Sequence, residues 1–395
     1  MIRNTVRARR ARAGAAAVVF AAALTACAPS TSEQEGADQA VPQATVEDAA
    51  SFDLDALIAA AKKEGSVLAY DGSGDVKDVA AAFEKKYGIK AEGVKSKAAA
   101  TAEKMTREAQ AGNVTIDVSL FEDGPMLAGQ LLPQKIVKTW IPPDLAKNID
   151  EADRNPLMMI RKAYVFAYND KLSPQGCPVK NAWELTEPAW KGKVMYQDPL
   201  GKEVFTQWFT QMSEQGADKL AAAYEQLGKG KLDTKEKDAA YEWVKRMAKN
   251  SPVLTTEDED VATGVGAPNQ TEKRIGLFSI SKFRDIEEKG YHMKVCEGLQ
   301  PWVGFGYPKF ATIATKSEHP NAAKLFVHFA MTKEGFALES GSGGVSGNKE
   351  VGQSPENAPG LTDWNTQLYS FSSKNLLPDF RSRQDIKDFW RVNHS

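Results

Sequence analysis

The feature that most constrains this chain is a regular alternation of helix and strand patterns between residues 53 and 120. Leu54, Leu57, Ile58 and Ala61 recur at i, i+3, i+4 and i+7, which predicts an amphipathic helix over 53–64, ended by Gly65. Ser66 to Tyr70 reads as a short strand, and Asp71-Gly72-Ser73-Gly74-Asp75 as a turn. A second helix follows with Val76, Val79, Phe83 and Tyr87 facing inward; Gly88 stops it, and Ile89 to Val94 is the next strand. A helix over 98–111, a strand over Val114 to Leu120 and the turn Glu122-Asp123-Gly124-Pro125 complete the pattern. Such a βαβαβ rhythm implies a mainly parallel sheet with helices on both faces. Ligands of such sheets sit at the carboxyl ends of the strands, which singles out loops 71–75 and 121–125.

The same grammar continues with gaps. Ala163 to Tyr168, Val194 to Gln197 and Ile275 to Ile280 read as strands, and Phe305 to Ala314 as extended chain. Helices are predicted over 202–215, 217–227, 234–249 and from His319-Pro320 to 331. Ser340 to Gly347 reads as a flexible joint, and the C-terminal part as helical. No internal repeat is visible. At 395 residues, with 42% apolar and 26% charged residues, the chain has the composition of a globular protein. Its length suggests two to three domains at ~150 residues each.

The first 27 residues read as an address. Arg3, Arg7, Arg9, Arg10 and Arg12 precede an almost wholly apolar run from Ala13 to Ala26. That run is too short to span a bilayer and suits the core of a signal peptide. Leu24-Thr25-Ala26-Cys27 resembles the bacterial lipobox, in which the cysteine is diacylated and becomes the mature N-terminus. The expectation is a signal peptide over 1–26 and a lipidated, flexible, acidic tether over 27–51. The 23 residues from 28 to 50 would span roughly 25–30 Å as coil. Loss of five of the 50 basic residues leaves 45 against 52 acidic ones, a formal charge of −7. Neither that charge nor the −2 of the whole chain fits a general nucleic-acid binder. With three cysteines, no two within four residues, zinc-finger and iron–sulfur spacings are absent. Neither a Gly-x-Ser-x-Gly elbow nor a Walker loop occurs, and no cofactor is implied.

Four stretches, in this order, carry a family resemblance. They are Glu64–Tyr70 with Ala82–Ile89; Val165–Asn169; Trp190–Val194 with Asp198-Pro199; and His319–Phe326 with Glu334–Phe336. Behind a lipobox, they resemble the class II periplasmic solute-binding proteins of ABC importers, of the ferric-ion, thiamine and polyamine type. The resemblance implies a two-lobed α/β fold, each lobe a mainly parallel sheet flanked by helices, with the ligand cleft between them. It places 52–160 plus 300–338 in lobe one and 165–298 plus 345–395 in lobe two. It implies capture of a small solute by hinge closure and delivery to permease subunits, by a monomer that catalyses nothing.

Within that frame, Ser73 and Gly74 precede a helix N-terminus, and Asp123 lies in the other strand-end loop of lobe one. Asp198 and Gly201 should occupy the matching place in lobe two, where small residues allow close backbone approach. Gly264-Val265-Gly266, with Asn269 nearby, reads as a second glycine-rich loop of lobe two. Plain βα turns are the competing reading for all three.

Ferric-binding relatives usually carry adjacent tyrosines after the strand equivalent to 275–280. Here that place reads Ser279-Ile280-Ser281-Lys282-Phe283-Arg284. Ser281, Lys282 and Arg284 suit a phosphate, phosphonate or carboxylate, with no protein-held metal. An iron(III) or iron-chelate binder is the alternative; an exported enzyme, sensor or adhesin on the same fold is a further one. Tyr168, Trp302 and Tyr307 are candidates to pack on an organic ligand, or else core aromatics. The acidic run Glu257 to Asp260 reads as a surface loop. Cys177 and Cys296 flank lobe two where the chain enters and leaves, so the architecture implies a disulfide between them in an oxidising setting.

Overall fold

The computed structural model describes Ala44 and residues 49–340, 343–354 and 358–394. The signal peptide, Cys27 and nearly all of the tether lie outside the described residues. No helix among the described residues is long and apolar enough to cross a membrane.

Twelve strands, numbered in chain order, form one curled sheet among the described residues. They are β1 (Ser66–Asp71), β2 (Lys90–Lys95), β3 (Val118–Phe121), β4 (Val137–Lys138), β5 (Met158–Tyr168), β6 (Val194–Gln197), β7 (Val253–Thr255), β8 (Ile275–Ser279), β9 (Lys294–Val295), β10 (Gly304–Ala314), β11 (Val345–Ser346) and β12 (Leu368–Ser370). The main path runs β2-β1-β3-β10-β5-β8-β6-β7. β1 lies parallel to β2 and β3, and β6 lies parallel to β7 and β8. Between these two parallel sets run the 11-residue strands β5 and β10, antiparallel to each other and in register from Gly304↔Val165. Two parallel α/β halves are thus joined by a pair of crossing strands. β10 is buried at every position and β5 at all but one, because both faces are covered. Continuous apolar runs are the expected signature of such strands.

Each half has its own core. Around β1 and β3, Phe83 packs on Phe326 and Phe329, with ring centroids 5.4 and 5.9 Å apart. Around β6 and β8, Trp208 stacks on Phe305 at 4.6 Å and meets Trp243 edge-on at 5.5 Å. A smaller cluster holds Phe121, Leu127, Phe310 and Leu376.

Several expectations shift. β3 begins at Val118 rather than Val114, because Glu108 accepts from the amides of Thr115 and Ile116 and holds that stretch outside the ladder. The helix expected over 234–249 starts at Ala239, where Asp238 caps the amides of Ala240 and Tyr241. Residues 344–347 do not form a free joint: the amide of Gly347 donates to Met159, and that of Ser346 to Gly352. Residues 345–354 also bond to the first half, through Lys349 to Asn148 and Asn348 to Met331. The last helix, Leu376–Asn393, straddles both halves, with Leu376 in the small cluster beside β3 and Trp390 in the core around β6. Cys177 and Cys296 are bonded, closing a loop of 119 residues within the second half.

Candidate functional site

The carboxyl ends of β1 and β3 face those of β6, β7 and β8 across a cleft floored by the crossing strands. There a cavity of about 240 Å³ is lined by the loop after β1, by Glu122, by Lys162, Tyr164 and Tyr307 of the crossing strands, and by the segments after β6, β7 and β8. A second cavity of about 300 Å³ adjoins it, sharing Gly72, Lys95, Glu122, Gln197, Lys202 and Glu257.

The loop after β1 is shaped by its own side chains. Asp71 accepts from the amide of Ser73 at 3.1 Å, and the Ser73 hydroxyl donates to Asp71 and Asp75 at 3.3 and 3.0 Å. Behind it lies a buried charge network. The fully buried Lys309 of β10 donates to Asp71 at 2.8 Å and to Glu339 at 2.6 Å. Lys162 of β5 lies 3.3 Å from Glu339 and 3.4 Å from Asp75. Burial and the neighbouring Glu339 raise the Asp71 carboxyl to about 7, against the pull of Lys309 and Lys162. Burial also acts to raise Glu122, but Lys202 and Lys309 outweigh it and hold that carboxyl at about 2. Two ion pairs cross the cleft, Lys202–Glu122 and, at 3.2 Å, Lys95–Glu257.

The wall after β8 is a 3-10 turn, Ile280–Arg284. The Ser279 and Ser281 hydroxyls lie 3.0 Å apart. Lys282 pairs with Glu259 and, at 3.5 Å, with Asp258. Each lysine on the cavity therefore has a carboxylate partner. Arg284, half-buried on the same wall, makes no hydrogen bond or ion pair among the described residues. Its charge does help Lys282 and Lys289 hold Glu259 low against burial.

Of the residues singled out from the sequence, Ser73, Gly74, Ser281, Lys282 and Arg284 meet on the first cavity, with Tyr307. Asp123 and Gly201 line the second. The others lie elsewhere. Asp198 turns the chain, accepting from the Leu200 amide at 3.0 Å, and lines neither cavity. Gly264-Val265-Gly266 is the end of the helix Asp258–Gly266, not a loop; a Cβ on Gly266 would sit 2.3 Å from Met293, so the glycine serves close packing. Asn269 is exposed just beyond it. Tyr168 borders a separate cavity beside Cys177, at the far end of β5. Trp302 is a core residue, edge-on to Tyr369 at 4.9 Å. The acidic run expected as a surface loop starts that same helix, and Glu257, Asp258 and Glu259 line the first cavity.

The sequence reading missed Lys162, Lys202, Lys309, Glu339, Tyr164 and Gln197. A signal existed for two of them: Lys162 and Lys309 interrupt otherwise apolar strand sequences, and an interior lysine must be paired. The two tyrosines on the cavity lie on the crossing strands rather than after β8. Burial, with Asp258 and Glu122 beside Tyr164 and Glu122 beside Tyr307, drives both phenols well above their usual range. The Tyr164 hydroxyl donates to Gln197 at 2.8 Å.

A set of polar groups held at facing strand ends, in a cleft between two halves joined by crossing strands, is an arrangement for enclosing a small molecule. Solved structures share this fold. Iron-bound HitA from Pseudomonas aeruginosa matches 84% of this chain and 99% of its own, with 18% identity and a TM-score of 0.65. The periplasmic binding protein AfuA from Actinobacillus pleuropneumoniae, with exogenous fructose-6-phosphate bound, matches 84% and 98%, with 18% identity and a TM-score of 0.60. A substrate binding protein of an ABC transporter from Agrobacterium tumefaciens matches 90% and 100%, with 13% identity and a TM-score of 0.64. At these identities the likeness establishes the two-lobed fold. No curated sequence matches the chain. The family model for bacterial extracellular solute-binding proteins matches residues 78–363, most of the described chain, and the protein belongs to that family.

Proposed function

We propose that this protein captures a small organic anion, phosphorylated, phosphonate or carboxylate, between its halves and delivers it to the permease of an ABC importer. The observation that carries the reading is Arg284. Every lysine around the cavity is already matched with a carboxylate, whereas this guanidinium is not, and it stands beside two hydroxyls. A planar guanidinium fork is suited to two parallel hydrogen bonds with an oxyanion. The bound sugar phosphate in AfuA and the iron in HitA show two ligand chemistries carried by this fold. Lipid attachment at Cys27 would hold the protein at the membrane beside its permease, working as a monomer.

The test is titration calorimetry of the purified protein against phosphate esters, phosphonates, carboxylates, ferric iron and ferric citrate. Binding of an oxyanion, weakened in Arg284→Ala, supports the reading. Binding of ferric iron alone overturns it.

A further inference from the structure

Two ion pairs stand between the cavities, and each joins one half to the other. Glu122 follows β3 in the first half, and Lys202 follows β6 in the second. Lys95 ends β2, and Glu257 follows β7. All four residues line both cavities, so the pairs form the boundary between the two chambers. They differ in strength. The side chains of Lys95 and Glu257 are 52% and 45% exposed, and a pair so exposed contributes little. Those of Lys202 and Glu122 are 21% and 9% exposed, where water and salt screen less. The fold makes room for this contact: a Cβ on Gly72 would fall 3.3 Å from a Glu122 carboxylate oxygen. Glu122 also has Lys309 of β10 at 3.9 Å. Separation of the halves would therefore return Lys202 to water and leave Glu122 beside Lys309. Neither charge would be stranded in the interior, which is the usual cost of breaking a buried pair.

We propose that Lys202 and Glu122 are the latch of the cleft: the pair forms as the halves meet, breaks as they part, and supplies closing free energy from the protein itself. The contact is between protein groups alone, so it acts whatever the solute and does not depend on the anion reading. Burial by itself would lower the Lys202 ammonium and raise the Glu122 carboxyl, yet each is shifted the other way, chiefly by its partner. Their attraction thus outweighs the desolvation of both. Solute then enters through an opened form whose population the latch sets.

Small-angle X-ray scattering of the purified protein, dialysed free of small molecules, tests this. Wild type should scatter as the compact, closed shape. Lys202→Gln and Glu122→Gln should each have a larger radius of gyration, with the closing equilibrium shifted about tenfold or more toward the open form. Lys202→Arg, which keeps the charge, and Lys95→Gln, which removes only the exposed pair, should stay compact. Circular dichroism checks that each variant is folded. An open wild type overturns the latch. So do folded glutamine variants as compact as wild type, which would assign closure to the last helix, Leu376–Asn393. Opening by Lys95→Gln as far as by Lys202→Gln also overturns it. Loss of fold in both glutamine variants does the same, since neither half needs a latch to fold. No solute enters the measurement, so its failure leaves the anion reading standing, and failure of the anion reading leaves the latch.

Discussion

At the scale of single residues, the cleft depends on which charges are already matched. Arg284 is the cavity cation held in no ion pair among the described residues, so its removal should cost binding without costing fold. Arg284→Ala should weaken oxyanion affinity 10- to 100-fold, about 1.5–3 kcal/mol for charge-assisted hydrogen bonds, with a melting temperature near wild type. Calorimetry and a thermal melt on one preparation separate the two effects. Asp379 makes the opposite case. It is 1% exposed, and its only side-chain partner among the described residues is Gln211, whose Nε2 donates to it at 2.6 Å. Burial raises its carboxyl to about 7, with Glu214 and Asp123 adding to the effect. The unfolded carboxyl titrates near ~3.9, so between about pH 4 and 7 the folded state holds more protons than the unfolded state. Stability therefore falls as pH rises through that window, by up to about 4 kcal/mol at 1.36 kcal/mol per pH unit. Asp379→Asn, which keeps an acceptor for Gln211, should flatten this slope in urea melts taken from pH 4 to 8. An unchanged slope would show that Asp379 is ionised throughout.

At the scale of elements, the last helix couples the halves. Leu376 and Phe380 lean on the segment after β3, and Trp390 stacks on Phe209 of the helix after β6, with ring centroids 5.8 Å apart. The contact at Phe380 is close because its partner is Gly129: a Cβ there would fall 2.1 Å from the phenyl ring. Gly129→Ala should force the helix outward and destabilise the protein by about 1–3 kcal/mol, the usual cost of overpacking. The urea midpoint should fall at unchanged slope. No shift in midpoint would mean that the helix gives way freely and couples the halves only weakly.

At the scale of the whole molecule, two parallel sets of strands hang from β5 and β10, so binding is a matter of how the halves approach. The disulfide Cys177–Cys296 lies within one half and spans no part of the cleft. Closing a loop of 119 residues constrains the unfolded chain, and losing it should cost about 2–5 kcal/mol. Replacing both cysteines with serine should therefore lower the melting temperature while solute affinity stays within a few-fold. A large loss of affinity would show that the bond shapes the cleft. A solute at ~100 times its dissociation constant should add about 2.7 kcal/mol to either form.

Much of the architecture is written in local order. The i, i+3, i+4 spacing of Leu54, Leu57 and Ile58, the apolar run Val194–Tyr196 and the turn Asp71–Asp75 depend on neighbours a few residues away, and they appear where expected. So does the wall Ser279–Arg284, because a polar turn after a buried strand must lie at the strand's end. The order of such segments carried the family resemblance and, through it, the pairing of Cys177 with Cys296. What the local order left open is which face a side chain presents and what lies opposite. Tyr168 and Tyr164 sit on one strand, four residues apart, yet one borders the Cys177 pocket and the other the cleft. Glu257–Asp260 read as a solvated loop until packing of their helix against β8 turned Glu257, Asp258 and Glu259 onto the cavity. Lys309, Asp71 and Glu339 come from 238 and 30 residues apart in the chain. The residue types of that network are set by sequence; their meeting is set by the pairing of β1 and β10 on either side of β3 and by the packing of the helix Lys333–Ser340, since only the fold removes water from all of them at once and makes each charge answer to the others.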